Sequence, residues 1–148
     1  SEVAICWFDA PAEGATDASV SASVLKFFDG DALSASNTSY SDFAGWAVVR
    51  LKFELGGAAT DAIFTIYPVD VLEQEGATDD DIRAMLLDDS LLGEYNFNIE
   101  ALTDVQLEWG CDYRLYAIPL DASENTGELF KLDIPALSRE QASPVSEY

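Results

Sequence analysis

Alternation between apolar and polar side chains runs through much of the chain and predicts β-strands. The clearest case is 46–55, where every second side chain is apolar. One face of this segment comprises Val49, Leu51, Phe53 and Leu55, and the opposite face comprises Val48, Arg50, Lys52 and Glu54. A period of two residues is typical of a strand with one buried face. We therefore expect the face that contains Phe53 to lie in the core.

Six further segments have strand character. They are 2–8, 18–28, 62–72, 95–102, 112–120 and 129–134. Each is rich in β-formers or alternates with a period of two, and turn residues separate them. Pro68 should end regular pairing in the third segment, because proline has no N–H to donate. The longest connection, 29–45, has the composition of turns, and we expect about one helical turn in it.

A single helix is predicted at about 78–88. Thr78 is a favourable N-cap, and three Asp residues, 79–81, fill the first turn, where the helix dipole favours negative charge. Thr78 and Asp81 also have the spacing of a capping box. The acidic triplet would suit a bound cation as well, but the cap explains it in full.

About seven strands and one short helix, without alternation between strands and helices, predict an all-β antiparallel sandwich. At 148 residues the chain fits one domain. We assign this domain to 1–136, with an N-terminal extension at 1–44. Residues 137–148 have the composition of a polar tail, which we expect to be disordered or loosely draped.

Charge narrows the classes of partner. The chain contains 28 acidic and 7 basic residues, for a formal net charge of −21. The negative electrostatic field of such a charge repels phosphate backbones and anionic lipid surfaces, so we expect no nucleic-acid binding. No run of about 18 apolar residues is present, so we expect no direct membrane insertion, and any signal or lipid anchor would lie upstream. Solubility is the simplest reason for the acidity, and attraction of cations or basic partners is the alternative.

The residue types needed for most catalysis and metal binding are scarce. The chain has no His, and nothing in the sequence selects a pair of carboxylates for glycosidase chemistry. We therefore predict no catalytic residues, no metal and no cofactor. Cys6 and Cys111 match neither a redox motif nor a zinc pattern. They are either one long-range disulfide or two free thiols, and we favour free thiols, with Cys111 the more reactive.

Two patterns have a superficial resemblance to binding sites. Residues 121–128 alternate oxygen-bearing side chains as a calcium loop does, but Thr126 and Leu132 stand where an EF-hand needs Gly and Glu, so we predict a hairpin turn. Three Trp residues near strand ends or loops are candidates for stacking on sugar rings. They are Trp7, Trp46 and Trp109.

The segment 107–113 contains a recognisable corner motif. It reads Leu-Glu-Trp-Gly-Cys-Asp-Tyr, which resembles the L-x-P-G-T-x-Y tyrosine corner of fibronectin type III domains. Leu107, Gly110 and Tyr113 match the motif, whereas Trp109 replaces the Pro and Cys111 replaces the Thr. In Ig-like sandwiches this Tyr hydrogen-bonds to the corner backbone and fixes the crossover between the sheets.

The resemblance covers about 45–135. Over this range the chain is similar to the divergent fibronectin type III modules of surface lipoproteins from Gram-negative gut bacteria. In this resemblance 48–55 corresponds to strand B, 62–72 to strand C and 113–134 to strands F and G. This implies an extracellular or cell-surface scaffold for spacing, adhesion or display of an unknown protein or glycan ligand, without catalytic residues. The alternative is a fimbrial or other self-assembling subunit, in which 2–8 or the tail pairs with the sheet edge of a neighbour.

Overall fold

A computed structural model describes residues 16–88, 90 and 96–148, and these form an antiparallel β-sandwich. The seven described strands are β1 (Ser19–Asp29), β2 (Ala47–Gly56), β3 (Ala59–Pro68), β4 (Phe97–Asn98), β5 (Leu102–Leu107), β6 (Tyr113–Asp121) and β7 (Phe130–Ile134). One sheet has the order β1-β2-β5 and the other has the order β4-β3-β6-β7. The predicted all-β sandwich is confirmed. The predicted strand at 2–8 lies outside the described residues.

The core fills the space between the inner faces of the two sheets. The alternation in β2 places Val49, Leu51 and Phe53 there, all buried, while Leu55 at the end of the strand is exposed. Leu115 and Ala117 of β6 face them from the other sheet. Burial of a large apolar side chain contributes about 1.5–3 kcal/mol, so these positions supply much of the stability.

A second apolar cluster covers the outer face of the three-stranded sheet. The register of β1 shifts between Val24 and Lys26, and this bulge reverses which face the following side chains occupy. Phe28 consequently faces outward, where it is fully buried beside Val48. The covering layer is α1 (Gly30–Ser36) and a 3₁₀ turn (Thr38–Phe43). The connection at 29–45 is therefore more helical than the single turn that the sequence predicts.

The described residues contain three α-helices rather than one. The predicted helix is present as α3 (Asp79–Leu86), with the Thr78 hydroxyl accepting from the Asp81 N–H at 3.1 Å and the Asp81 carboxylate accepting from the Thr78 N–H at 3.0 Å. It packs on the outer face of the four-stranded sheet. The strand predicted at 62–72 ends at Pro68, and α2 (Val69–Glu75) begins there, because proline both ends the ladder and is compatible with a helix start. None of the described helices is long and apolar enough to cross a bilayer.

The strand predicted at 95–102 is wrong in its extent. Phe97–Asn98 forms the strand that pairs with β3, and the Ile99 N–H adds one bond to the Ala62 carbonyl at 3.1 Å. Tyr95 lies outside the described residues, and Leu102 begins the separate strand β5. The sequence does not predict β5, because three of its six side chains are polar at a sheet edge: Thr103, Asp104 and Gln106.

The C-terminal segment is packed rather than draped. The Ser143 N–H donates to the Phe27 carbonyl at 2.7 Å. At the end of the segment the Tyr148 ring meets the Phe28 ring edge-on, with centroids 5.1 Å apart, and so completes the outer cluster. The expectation of a disordered or loosely draped tail is wrong, because one aromatic side chain at position 148 docks a segment that is otherwise polar.

Candidate functional site

The corner between β5 and β6 is held by a hydrogen bond. Leu107 at the end of β5 and Tyr113 at the start of β6 are both buried. Between them the Tyr113 hydroxyl accepts from the backbone N–H of Glu108 at 3.0 Å. Gly110 has φ +75°, a left-handed conformation that glycine adopts without strain. Burial raises the pKa of the Tyr113 phenol above its usual value.

Neighbouring segments are tied to the same corner. The Gly110 N–H donates to the Leu137 carbonyl at 3.3 Å, and the Asp112 carboxylate accepts from the Ala136 N–H at 2.8 Å. The Asp112 carbonyl in turn accepts from the Val69 N–H at the start of α2. Every one of these contacts fixes the backbone, so the three corner residues Leu107, Gly110 and Tyr113 have a structural role here.

The two described Trp candidates occupy different environments. Trp109 is half-buried, with the Phe27 ring edge-on at 6.1 Å and the Arg139 guanidinium 5.0 Å from the ring centroid. Trp46 is exposed, and its carbonyl accepts from the Gly30 N–H. Because Phe27 and Arg139 enclose the Trp109 indole, Trp46 is the described candidate whose indole remains available for stacking. Trp7 lies outside the described residues.

Cys111 lies within the corner as a half-buried free thiol. Cys6 lies outside the described residues. The prediction of two free thiols therefore stays a prediction.

An open cleft lies between β5 and the β3–β4 edge of the opposite sheet. We call it the edge cleft, and its volume is about 770 Å³. Its apolar lining consists of Phe64, Ile66, Phe97, Ile99, Val105 and Leu107, and the charged residues among its described lining are Glu100 and Asp104. The cleft exists because β5 and the short β4 are the last strands of their sheets on the same side of the sandwich, where the described residues do not close the gap.

Aromatic side chains connect the core to the mouth of the edge cleft. The Phe53 and Phe64 ring centroids are 5.0 Å apart, and those of Phe64 and Phe97 are 5.9 Å apart. Phe64 is buried, whereas Phe97 is 43% exposed. The floor is thus rigid core, and its outer margin offers an aromatic surface to a partner.

Asp104 on the rim of the edge cleft is held by a bidentate ion pair. Arg50 Nε donates to Asp104 Oδ1 at 2.9 Å and Arg50 Nη2 donates to Asp104 Oδ2 at 3.2 Å, which raises the pKa of the guanidinium. The same guanidinium lies 5.5 Å from the Phe28 ring centroid and 5.0 Å from that of Tyr148. The rim beside β5 is therefore connected to the outer aromatic cluster.

Each basic side chain of the protein is already engaged. Arg83 donates to the Gly127 carbonyl at 2.9 Å and to the Thr126 hydroxyl at 2.6 Å. The other six basic residues form ion pairs: Lys26 with Glu147, Arg50 with Asp104, Lys52 with Glu54, Arg114 with Asp133, Lys131 with Asp79, and Arg139 with Asp29 and Asp31. Within the part of the chain that the structure describes, no Lys or Arg is left over to neutralise the surplus of carboxylates.

The outer edge of β5 presents backbone groups in the spacing of a strand. The Phe53 N–H donates to the Ala101 carbonyl at 3.0 Å, and Thr103, Val105 and Leu107 continue this set of residues that bond to β2. In an antiparallel ladder the intervening residues direct their N–H and C=O groups to the other side. Those residues are Leu102, Asp104 and Gln106. Among the described residues, β5 pairs only with β2.

The carboxylates with shifted pKa values serve turns and caps. Hydrogen bonds from Arg139 and from the Gly45 N–H lower the pKa of Asp31, and hydrogen bonds from Thr78 lower that of Asp81. Asp121 accepts from the backbone N–H groups of Asn125 and Ser123, which lowers its pKa and shapes the turn after β6. These groups are anions fixed by local hydrogen bonds. General acid catalysis needs a carboxyl whose pKa is raised.

In the described part of the chain, no group of three or more Cys, Asp and Glu side chains is arranged to hold a metal ion. The acidic triplet of α3 is used locally, since Asp81 completes the cap and Asp79 pairs with Lys131 at 2.9 Å.

Comparison of the chain with family models, with curated proteins and with solved structures finds no match.

Proposed function

We propose that this protein is a non-catalytic, fibronectin type III-like binding module of a bacterial cell surface, which displays the edge cleft to a protein or glycan ligand. The observation that carries the proposal is the cleft itself: an apolar space of about 770 Å³ at the open side of a sandwich, next to a strand whose outer edge is unpaired in the described residues. Open apolar clefts with a few polar groups at the margin are typical binding sites.

The family assignment is supported by the corner and by the topology. Sheets of three and four antiparallel strands face each other, and Tyr113 bonds to the backbone where the chain passes from β5 to β6. This is the position of the tyrosine corner in Ig-like sandwiches. A scaffold of this kind fixes loops and edges without chemistry of its own, which agrees with roles in adhesion, ligand display or spacing.

A ligand survey with matched variants tests the proposal. Purified protein is applied to a glycan array and to an extracellular-protein display library, and each ligand found is measured again with Phe97→Ala and Val71→Ala. Both side chains are 43% exposed, but Phe97 lines the edge cleft and Val71 lies on α2. We expect Phe97→Ala to weaken binding by about tenfold, because aromatic anchors dominate interfaces, and Val71→Ala to leave it unchanged. Ligands that are indifferent to Phe97→Ala, or turnover of any ligand, would contradict the proposal.

Self-assembly through edge strands is the second candidate. The unpaired outer edge of β5 favours it, since such edges template pairing with another chain. The charge of −21 opposes it, because two copies repel each other until salt screens them. Sedimentation velocity at low and high salt decides between the two, and a concentration-dependent oligomer that Gln106→Pro abolishes would favour assembly.

A further inference from the structure

We infer that the edge cleft takes an extended polypeptide segment with alternating apolar and basic side chains, which adds to the three-stranded sheet as a strand beside β5. This inference rests on the proposed function and specifies its partner. It depends on three separate properties of the site: the outer backbone edge of β5, which no described strand covers, the apolar floor between the sheets and the net negative charge of the rim.

The backbone edge supplies the register. Leu102, Asp104 and Gln106 direct their N–H and C=O groups away from β2, so they offer the alternating donors and acceptors of a ladder. At about 3.3 Å per residue, the six residues of β5 match a segment of equal length. Main-chain pairing of this kind provides affinity that depends little on sequence.

The floor selects one face of the added strand. Side chains on the inner face of such a strand point between the sheets, as Val105 does, and meet the apolar groups Phe64 and Ile99 across the edge cleft. Val105 and Ile99 are only half-buried, so a partner has apolar area to cover at both. Alternate apolar side chains in the partner would cover it.

The rim selects the other face. Glu100, Asp104 and Glu108 are exposed along and beside β5, and the sequence has no Lys or Arg from 84 to 113. Side chains on the outer face of an added strand lie next to Asp104, whose charge Arg50 already balances. The negative charge that would favour lysine or arginine there therefore comes from Glu100 and Glu108. The same charges disfavour a second copy of this chain, whose own basic side chains are all engaged.

Hydrogen exchange with designed peptides tests the inference directly. The probe is a six-residue peptide of alternating Lys and Val with blocked ends, matched in length to β5. The controls are the same peptide with Glu in place of Lys, and the Lys peptide N-methylated on the residues that would face β5. We expect the Lys peptide to bind and to slow exchange of the Leu102, Asp104 and Gln106 amides by at least about tenfold. The N-methylated and Glu peptides should not.

A proline variant tests the edge in the protein itself. Gln106→Pro removes one outward N–H, and edge strands tolerate proline at such a position, so the fold should survive. Gln106→Ala keeps the N–H and is the matched control. We expect the proline variant to bind the Lys peptide about three- to tenfold more weakly, as the loss of one hydrogen bond implies, and the alanine variant to bind normally. Were Gln106→Pro to unfold, the N-methylated peptide would still decide.

The outcomes separate this inference from the proposed function. A Lys peptide that fails to bind, or that binds while the three amides still exchange fast, overturns the inference. Should a glycan bind at Phe97 instead, the binding module stands and the polypeptide partner is wrong. Glu100→Gln should weaken the Lys peptide and flatten its salt dependence, because one rim charge is lost without a change of shape. An unchanged salt dependence would refute the role of the acidic rim.

Discussion

The hydroxyl of Tyr113 accepts the backbone N–H of Glu108 at 3.0 Å, across the passage from β5 to β6. This contact fixes where β5 ends, and β5 forms one wall of the edge cleft. Because Leu107 and Tyr113 also line the cleft from below, the same residues that hold the sandwich together determine the shape of the candidate site. The structural corner and the edge cleft therefore share Leu107 and Tyr113.

Replacing the corner hydroxyl should cost one hydrogen bond. We expect Tyr113→Phe to lower the free energy of unfolding by about 0.5–1.5 kcal/mol without loss of the fold, measured by urea denaturation at neutral pH. Tyr40→Phe is the control. The Tyr40 ring stacks on Phe43, and its hydroxyl makes no hydrogen bond among the described contacts. A Tyr113→Phe value equal to that of the control would show that the corner bond is not formed in solution.

The raised pKa of Tyr113 adds a pH signature. A phenol whose folded pKa lies above its unfolded value of about 10 stabilises the fold fully below pH 10, and this contribution is lost as the pH rises towards the folded pKa. The wild type should therefore lose stability more steeply than Tyr113→Phe above pH 10. Parallel curves for the two proteins would contradict the assigned burial.

Patterns that depend on local chemistry were readable from the sequence. In β2, buried and exposed residues alternate from Val49 to Glu54, and one face of the sheet imposes this period. The cap formed by Thr78 and Asp81 needs only residues three apart, so the sequence alone predicts it. The end of pairing at Pro68 follows from a missing N–H.

Features that arise from distant contacts were not readable. The polar side chains of β5 give no core pattern, because the strand lies at an edge and buries only one end, at Leu107. The outward turn of Phe28 depends on a bulge in β1 that no periodicity reveals. The edge cleft arises where β5 and β4 meet across two sheets, so it depends on the packing of the sheets and not on any single motif.

The cap of α3 should contribute measurably to stability. We expect Thr78→Ala to cost about 1 kcal/mol in urea denaturation, because the Asp81 N–H loses its acceptor, whereas Thr78→Ser should cost much less. Asp81 has a lowered pKa, so its contribution is present above the unfolded pKa of about 3.9 and is lost as the pH falls through the folded pKa. The cost of Asp81→Asn should therefore be present above pH 4 and shrink below it, because the Thr78 N–H that the carboxylate accepts from is unchanged. A cost that is independent of pH would argue against the reciprocal half of the capping box.

Repulsion among the surplus carboxylates should make stability depend on salt. With 28 acidic and 7 basic residues, we expect the melting temperature at neutral pH to rise by about 2–4 °C between low salt and about 0.2 M NaCl. Mild acid should act in the same direction until stronger acid destabilises the fold. Sucrose at equal osmolality is the control for general solvent effects. A melting temperature that does not change with salt concentration would mean that the charges are spaced widely enough not to interact.

The docked C-terminal segment should stabilise the three-stranded sheet through one side chain. The Tyr148 ring contacts Phe28 and Tyr40 edge-on, each at 5.1 Å between centroids, and covers the guanidinium of Arg50. We expect Tyr148→Ala to lower the free energy of unfolding by about 1–3 kcal/mol, since apolar area and the cation–π contact are both lost. Tyr148→Phe should retain most of this, because the ring remains.

Val145→Ala is the matched control for this prediction, because the same segment carries it and Val145 is 37% exposed. Its cost should stay within about 0.5 kcal/mol, as for other surface substitutions. Urea midpoints for the three variants, with unchanged denaturant slopes, provide the comparison. Equal midpoints for Tyr148→Ala and Val145→Ala would show that the segment does not dock in solution. Arg50 would then be held by Asp104 and the Phe28 ring without Tyr148, and the rim of the edge cleft would be less rigid than the ring contacts imply.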